Sequence, residues 1–140
     1  MILSEKTYLL KSEPHVYSFD DFEREGQTAW DGVRNHLAMR HLKAMAVGDH
    51  AFIYHSGNER RVVGLAEVIG AARPDPGDPS GKFVCVDLKC VKRLTHPVPL
   101  SAFKAANWNE FELVRMSRLS CMPVPSDIRD WTIAQSEIAR

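Results

Sequence analysis

The run Trp30-Asp31-Gly32-Val33-Arg34-Asn35 sets an aromatic face, a cation and a carboxamide close together in the chain. Asp31-Gly32 favours a tight turn, because glycine takes positive φ without a Cβ clash, and such a turn would hold the Trp30 indole at a rim. An indole stacks on any nucleobase for about 1–3 kcal/mol, and extruding a paired base costs a few kcal/mol, so one tryptophan roughly offsets the extraction. A core tryptophan is the plainer reading, and the residues alone leave both open. Asn35 precedes a helical pattern with Ala38, Leu42 and Met45 on one face, which predicts an N-cap. A capping asparagine accepts with its side-chain oxygen and keeps its NH₂ donors for an acceptor on a base edge. Arg34 is either a phosphate ligand or a solvated surface arginine.

Three further clusters could join such a site. Lys11-Ser12-Glu13-Pro14 closes a first strand; proline keeps Glu13 extended, so Ser12 and Glu13 splay apart unless the chain twists. Tyr54-His55-Ser56 ends another strand and offers either an aromatic wall or a buried tyrosine with its hydroxyl satisfied. Arg118-Leu119-Ser120 supplies a cation and a hydroxyl beside a leucine that can pack on a base. Trp108 and Trp131 read as core. Arg60-Arg61 and Lys92-Arg93 read as solvated charges.

These motifs, together with Val62-Val63-Gly64-Leu65-Ala66-Glu67-Val68 and Pro123, stand in the order found in the EVE domain, and nearly the whole sequence resembles that family. Within it, the nearest named group is the thymocyte nuclear protein family. The resemblance implies a PUA-like fold, α+β, with a small twisted β-barrel and flanking helices over residues 1–140 as a single domain. It further implies a module that takes a single modified base, flipped or unpaired, into a small pocket. Carried onto this sequence, it makes Ser12, Glu13, Trp30, Asn35, Tyr54, His55, Ser56, Leu119 and Ser120 base-binding candidates, with Lys11, Arg34 and Arg118 on phosphates. The implied partner is DNA or RNA bearing a methylated or hydroxymethylated cytosine or a methylated adenine, with no cofactor and no catalytic residue. Tyr8 stands where many relatives carry tryptophan, Ala105–Glu112 departs from the family pattern, and the 73–81 loop is shorter than in many relatives.

Two rival readings remain. Some PUA-like proteins of the ASCH group act on modified pyrimidines with lysine and glutamate, but Glu13 follows Lys11 too closely for their Gly-x-Lys-x-x-Glu-x-Arg pattern. Ser12 likewise lacks the Gly-x-Ser-x-Gly setting of a hydrolase nucleophile. The same fold could instead hold a small metabolite or a protein partner.

The elements that must position these residues can be read from pattern. Alternation in Val84, Val86, Leu88 and Cys90 predicts a half-buried strand, and noisier runs predict strands at Thr7–Lys11, His50–Tyr54 and Val62–Ile69. A barrel-like sheet of five or six strands is expected. Ser18 and Asp21 form a capping-box start for a short helix that Gly26 ends; a second helix spans His36–Ala46 with Gly48 beyond it. Arg73–Gly81 reads as a protease-sensitive surface loop. Pro97 and Pro99 bound a turn into a Leu100–Ala105 helix, and Ser126 caps a last helix carrying Ile128, Trp131 and Ile138.

The 140 residues are 44% hydrophobic, enough for one core without disulfides or structural metal. Eighteen basic and eighteen acidic side chains cancel, which argues against a tight, sequence-blind DNA coater and predicts a shallow salt dependence on plain duplex. Cys85 and Cys90 point to opposite strand faces and Cys121 stands apart, so all three read as reduced thiols. His36 and His41 have the wrong spacing for a helical metal pair, and no metal is expected. Met1–Lys6 lacks a signal-peptide pattern and no apolar run reaches membrane-spanning length. The expected protein is a soluble monomer, cytoplasmic, at the nucleoid in a bacterium or nuclear in a eukaryote.

Overall fold

Buried apolar residues recur through the runs that pair into the central sheet. The computed structural model describes residues 6–138, so Met1–Glu5 of the expected leaderless start lie outside the described residues. In chain order the elements are β1 (Thr7–Ser12), α1 (Phe19–Glu25), β2 (Gln27–Trp30), α2 (His36–Ala44), β3 (His50–His55) and β4 (Arg61–Val68). They continue with β5 (Arg73–Pro74), β6 (Val84–Pro99), α3 (Leu100–Ala105), α4 (Glu112–Arg115), β7 (Cys121–Pro123) and α5 (Ser126–Ser136).

The strands pair in the order β2-β6-β4-β3-β1-β7, with β5 attached to β6, so the described residues form seven where five or six are expected. The sequence missed β2 because four residues carry too little periodicity; pairing of Trp30 with Val86 and Gln27 with Lys89 creates it. β1 and β3 are parallel and every other pairing is antiparallel. A parallel pair needs a crossover, and α1, β2 and α2 supply it. This is the PUA-like α+β arrangement.

Local signals held where both partners sit within one turn. Ser18 Oγ accepts from Asp21 N at 3.1 Å and Asp21 Oδ2 from Ser18 N at 2.9 Å, closing the capping box. Asn35 Oδ1 accepts from Ala38 N at 2.9 Å and caps α2. That helix stops at Ala44 rather than Ala46, because Asp49 accepts the Ala46 N–H and draws the chain off the helical path.

Three expectations at the far end fail for tertiary reasons. Pro97 and Pro99 lie inside β6 instead of a turn. There β6 pairs only with β4, so its outer edge tolerates a residue without an N–H. Ser126 begins α5 after Pro125 and makes no side-chain cap, and Ile138 lies beyond the helix, 51% exposed. α4, in a segment the sequence left unassigned, is a single turn anchored by buried Phe111 and Leu113.

One glycine shows how tightly the core is drawn in. A Cβ on Gly64 would lie 2.2 Å from the ring of fully buried Phe19, so the α1 aromatics rest directly on the β4 backbone. The ring of Phe19 meets Phe22 at 5.7 Å, and Phe22 meets Trp30 at 6.5 Å, both edge-on. Burial thus runs unbroken from the middle of the sheet to the Trp30 rim.

Candidate nucleic-acid interface

β2 and β1 stand near opposite ends of the strand order, yet Thr28, Ala29 and Trp30 from one and Lys11 and Ser12 from the other line a common cavity. The sheet therefore curls until its ends flank a gap. That gap measures about 570 Å³ and is completed by Glu13, Val16, Tyr17, Glu25, the Asp31–Arg34 turn and Ser120. Strand termini bring side chains to the gap without filling it.

Trp30 is 8% exposed and meets Tyr17 edge-on at 6.2 Å, forming an aromatic corner. Tyr17 gave no signal in the sequence. Its hydroxyl donates to Glu25 at 2.5 Å, and burial, seconded by that hydrogen bond, pushes its pKa up to about 12. Ser12 Oγ donates to Tyr17 O at 2.5 Å, tying the ring's backbone to the end of β1. β1 stops at Ser12 and the chain turns, so Ser12 and Glu13 both line the cavity despite the splay expected of extended neighbours. Glu13 is exposed, with His15 Nε2 at 3.4 Å. The Ser120 hydroxyl makes no hydrogen bond to a described residue.

The turn after Trp30 is held by a residue the sequence placed in a plain surface loop. Asp75 is 2% exposed; its Oδ2 accepts from Gly32 N and from Arg34 Nη1, each at 2.9 Å, and its Oδ1 accepts from Gly77 N at 2.7 Å. Gly32 has φ of 77°, as a tight turn there requires. Arg34, chiefly, holds the Asp75 carboxyl below the usual carboxylate range. Asp78 clasps the rest of the loop through Ser80 and Phe83, so 73–81 is fastened at both halves. Asp75 follows the two-residue β5, which is too short to carry an alternating pattern that could signal it.

Several candidates lie elsewhere. Both ring nitrogens of His55 are committed: Nε2 accepts from Phe19 N at 3.0 Å, leaving Nδ1–H to donate to Glu59 at 2.9 Å. That bond lowers the Glu59 pKa and makes His55 a buried strut between β3 and α1. Tyr54 is buried, with Lys11 Nζ 5.7 Å from its ring centre. Ser56 donates its backbone N–H to Ser12 O at 2.9 Å and steadies the end of β1. None of the three lines the cavity. The Arg34 guanidinium packs on Phe83 and is already paired with Asp75, which weakens it as a phosphate ligand. Asn35 and Trp30 do not share the cavity: Asn35, Arg118 and buried Leu119 line a separate groove beside it.

The EVE domain family model matches residues 6–134. The chain belongs to the EVE domain family. Its fold is shared with a Rhodopseudomonas palustris protein solved by NMR, at a TM-score of 0.89 and 44% identity, covering 96% of this chain and 95% of that one. Human THYN1 protein, crystallised with 5-methylcytosine-containing DNA, superposes with a TM-score of 0.90 at 28% identity, over 97% and 100% of the two chains. In sequence, mouse thymocyte nuclear protein 1 is 30% identical over 93% of this EVE domain protein and 73% of its own length. Among the described residues of this EVE domain, no helix is long and apolar enough to cross a membrane.

Proposed function

We propose that this protein is a single-domain, monomeric reader that takes one modified base, flipped from a duplex or presented in a single strand, into the Trp30 cavity. The observation that carries this reading is the aromatic corner of Trp30 and Tyr17 facing hydrogen-bonding groups across a gap of about 570 Å³. That size falls within the roughly 300–1,000 Å³ of small-ligand pockets. The human relative's complex with 5-methylcytosine DNA supports the same class of ligand.

The cavity's chemistry narrows the base. Glu13, Glu25 and Asp31 line it, and carboxylates accept from the exocyclic amines of cytosine or adenine. Thymine and uracil lack that amine. A methylated or hydroxymethylated cytosine, or a methylated adenine, fits the acceptors and adds apolar contact for Val16 or the Trp30 ring. In this reading Trp30 stacks, Ser12, Glu13 and Ser120 meet the base edge, and Lys11 lies toward the phosphates. The protein acts in the compartment that holds its nucleic acid, the cytoplasm in a bacterium.

Binding is favoured over catalysis by where the reactive groups point. Ser12 Oγ is spent on Tyr17 O, and Lys11 Nζ donates to Ser117 O at 2.8 Å. Ser12 is not hydrogen-bonded to a general base, as an activated serine requires.

The test is equilibrium binding to matched DNA and RNA oligonucleotides that are plain or carry 5-methylcytosine, 5-hydroxymethylcytosine or N6-methyladenine. Wild type should prefer at least one modified strand. Trp30→Leu, which keeps an apolar filler but loses the indole face, should weaken that binding by about 1–3 kcal/mol while circular dichroism shows a folded chain. Equal affinity of wild type for every oligonucleotide would overturn the reading.

A further inference from the structure

The turn between β1 and α1 carries the most exposed large hydrophobic side chain among the described residues. Val16 is 72% exposed, ahead of Val47 at 65% and Ile138 at 51%, and of the three it alone lines the cavity. A single apolar side chain in solvent is ordinary on any protein surface, so exposure by itself says nothing. Its position does. A residue that lines the cavity and still stands mostly in solvent is at the mouth. Val16 directly precedes Tyr17, whose ring forms the aromatic corner with Trp30, so mouth and wall are chain neighbours with α-carbons about 3.8 Å apart.

The turn holds that valine out. Glu13 O accepts from Val16 N and from Tyr17 N, each at 2.9 Å, and Ser12 Oγ donates to Tyr17 O at 2.5 Å. Pro14 fixes its own φ, and Ser18, one residue past Tyr17, opens the capping box of α1. The span between β1 and α1 therefore has little freedom to fold Val16 back over the cavity. Valine is also stiff at χ1, so seating it in a contact costs little side-chain entropy. The tip residues Pro14, His15 and Val16 carry no carboxylate, and the exposed Glu13 carboxylate beside them has His15 Nε2 at 3.4 Å.

We propose that Val16 is a wedge: as a base leaves a duplex for the cavity, the Val16 side chain enters the position the base vacates and keeps the flanking pairs from closing over it. The inference rests on the base-cavity reading above and sharpens it, because it makes paired duplex a ligand that the protein opens rather than one that must arrive opened. Its physical basis is the cost of extrusion. A base that swings out exposes the faces of its two neighbours in the stack, and an apolar side chain inserted between them recovers part of the contact that was lost. The aromatic corner holds a base once it is out but does nothing for the gap left behind. A stiff apolar side chain on a fastened turn, at the mouth through which the base passes, is placed to fill that gap.

The experiment measures binding of the full chain to 5-methylcytosine DNA as a single strand and as a fully paired duplex, each beside its unmodified counterpart, for wild type, Val16→Ala, Val16→Leu and Trp30→Leu. Val16 stands in solvent, so its variants should fold normally by circular dichroism. Val16→Ala should weaken the modified duplex about tenfold, the worth of burying two fewer methyl groups, and the modified single strand by less than about twofold. Val16→Leu, which keeps an apolar wedge, should retain the duplex affinity. The salt slope should not change in either Val16 variant, since no phosphate contact is lost. Trp30→Leu should weaken duplex and single strand alike. If Val16→Ala leaves both forms unchanged, or weakens both by one factor as a wall residue would, the wedge is overturned, while a wild-type preference for the modified strand keeps the cavity reading. Wild type that binds the modified single strand but not the modified duplex overturns the wedge too. If wild type prefers neither modified form, the cavity reading fails and the wedge fails with it.

Discussion

Two aromatic clusters of similar make-up sit in different parts of this molecule, and one borders a site while the other seals a core. Tyr17, Phe19, Phe22 and Trp30 run from the sheet to the cavity rim. Phe103, Phe111, Trp108 and Trp131 join α3, α4 and α5, with Phe103 and Trp131 only 4.9 Å apart. Ring geometry does not separate them, because both are edge-on or tilted as aromatic packing prefers. Polar surroundings do. The first cluster ends where strand and helix termini deliver Ser12, Glu13, Glu25 and Ser120 to a gap, while the groove beside Trp131 is lined by Pro99, Ser101, Ala102, Ala105, Ala106 and Gln135, with no charged side chain. In the proposed reading, a tryptophan serves as a stacking surface only where the fold leaves a space with hydrogen-bonding walls.

The comparison breaks most visibly at Phe103, which is 1% exposed at the centre of the second cluster. Phe103→Ala should cost about 3–5 kcal/mol of unfolding free energy in a urea titration, the range for emptying a buried aromatic site. Oligonucleotide affinity per folded molecule should not move. A change in base preference in this variant would mean that the two clusters are coupled.

Gly64→Ala probes the other cluster from beneath. The added methyl would press on the Phe19 ring, and overpacking of this kind costs about 1–3 kcal/mol. Because Phe19 leads through Phe22 to Trp30, this variant should also weaken binding of the modified strand. Loss of stability with unchanged binding would show that the rim is insulated from the core below it.

The smallest effect, and the most specific, belongs to Asp75. Its folded pKa is held below its unfolded value, so the stability it contributes is full above about pH 4 and is lost as pH falls through the folded pKa. Asp75→Asn should therefore be less stable than wild type near neutrality, with the difference shrinking in the acid limb. Tm measured from pH 7 down to about pH 2 would reveal it, and a constant gap at every pH would refute the clamp. No matching effect is expected at the second cluster, where no carboxylate lines the groove.

How far this was legible varies along the chain. The α1 capping box and the Asn35 cap are legible because each bond spans three residues, and the Gly32 turn because positive φ is a preference of glycine itself. Of the site, Trp30, Ser12, Glu13, Lys11, Arg34 and Ser120 were picked out and do line one cavity. Tyr17 and Asp75 were missed because their roles depend on partners in other elements, Trp30 in one case and the 31–34 turn in the other. Tyr54 and His55 are buried outside the cavity; a strand end with polar residues reads the same in sequence whether it faces a gap or the core.

The sequence alone determined the local rules of this protein: where helices begin, where the chain must turn, which strand faces are apolar, and that net charge cannot supply affinity. Those properties depend on dihedral preference, short-range hydrogen bonding and composition, all of which are local or additive. Only the tertiary structure decided that β2 and β1 meet across a gap, that Asp75 fastens its rim, and that Asn35 belongs to a groove beside the cavity rather than to the cavity. Each of those depends on residues distant in the chain and on the curl of a sheet, and no stretch of sequence encodes where its two ends will meet.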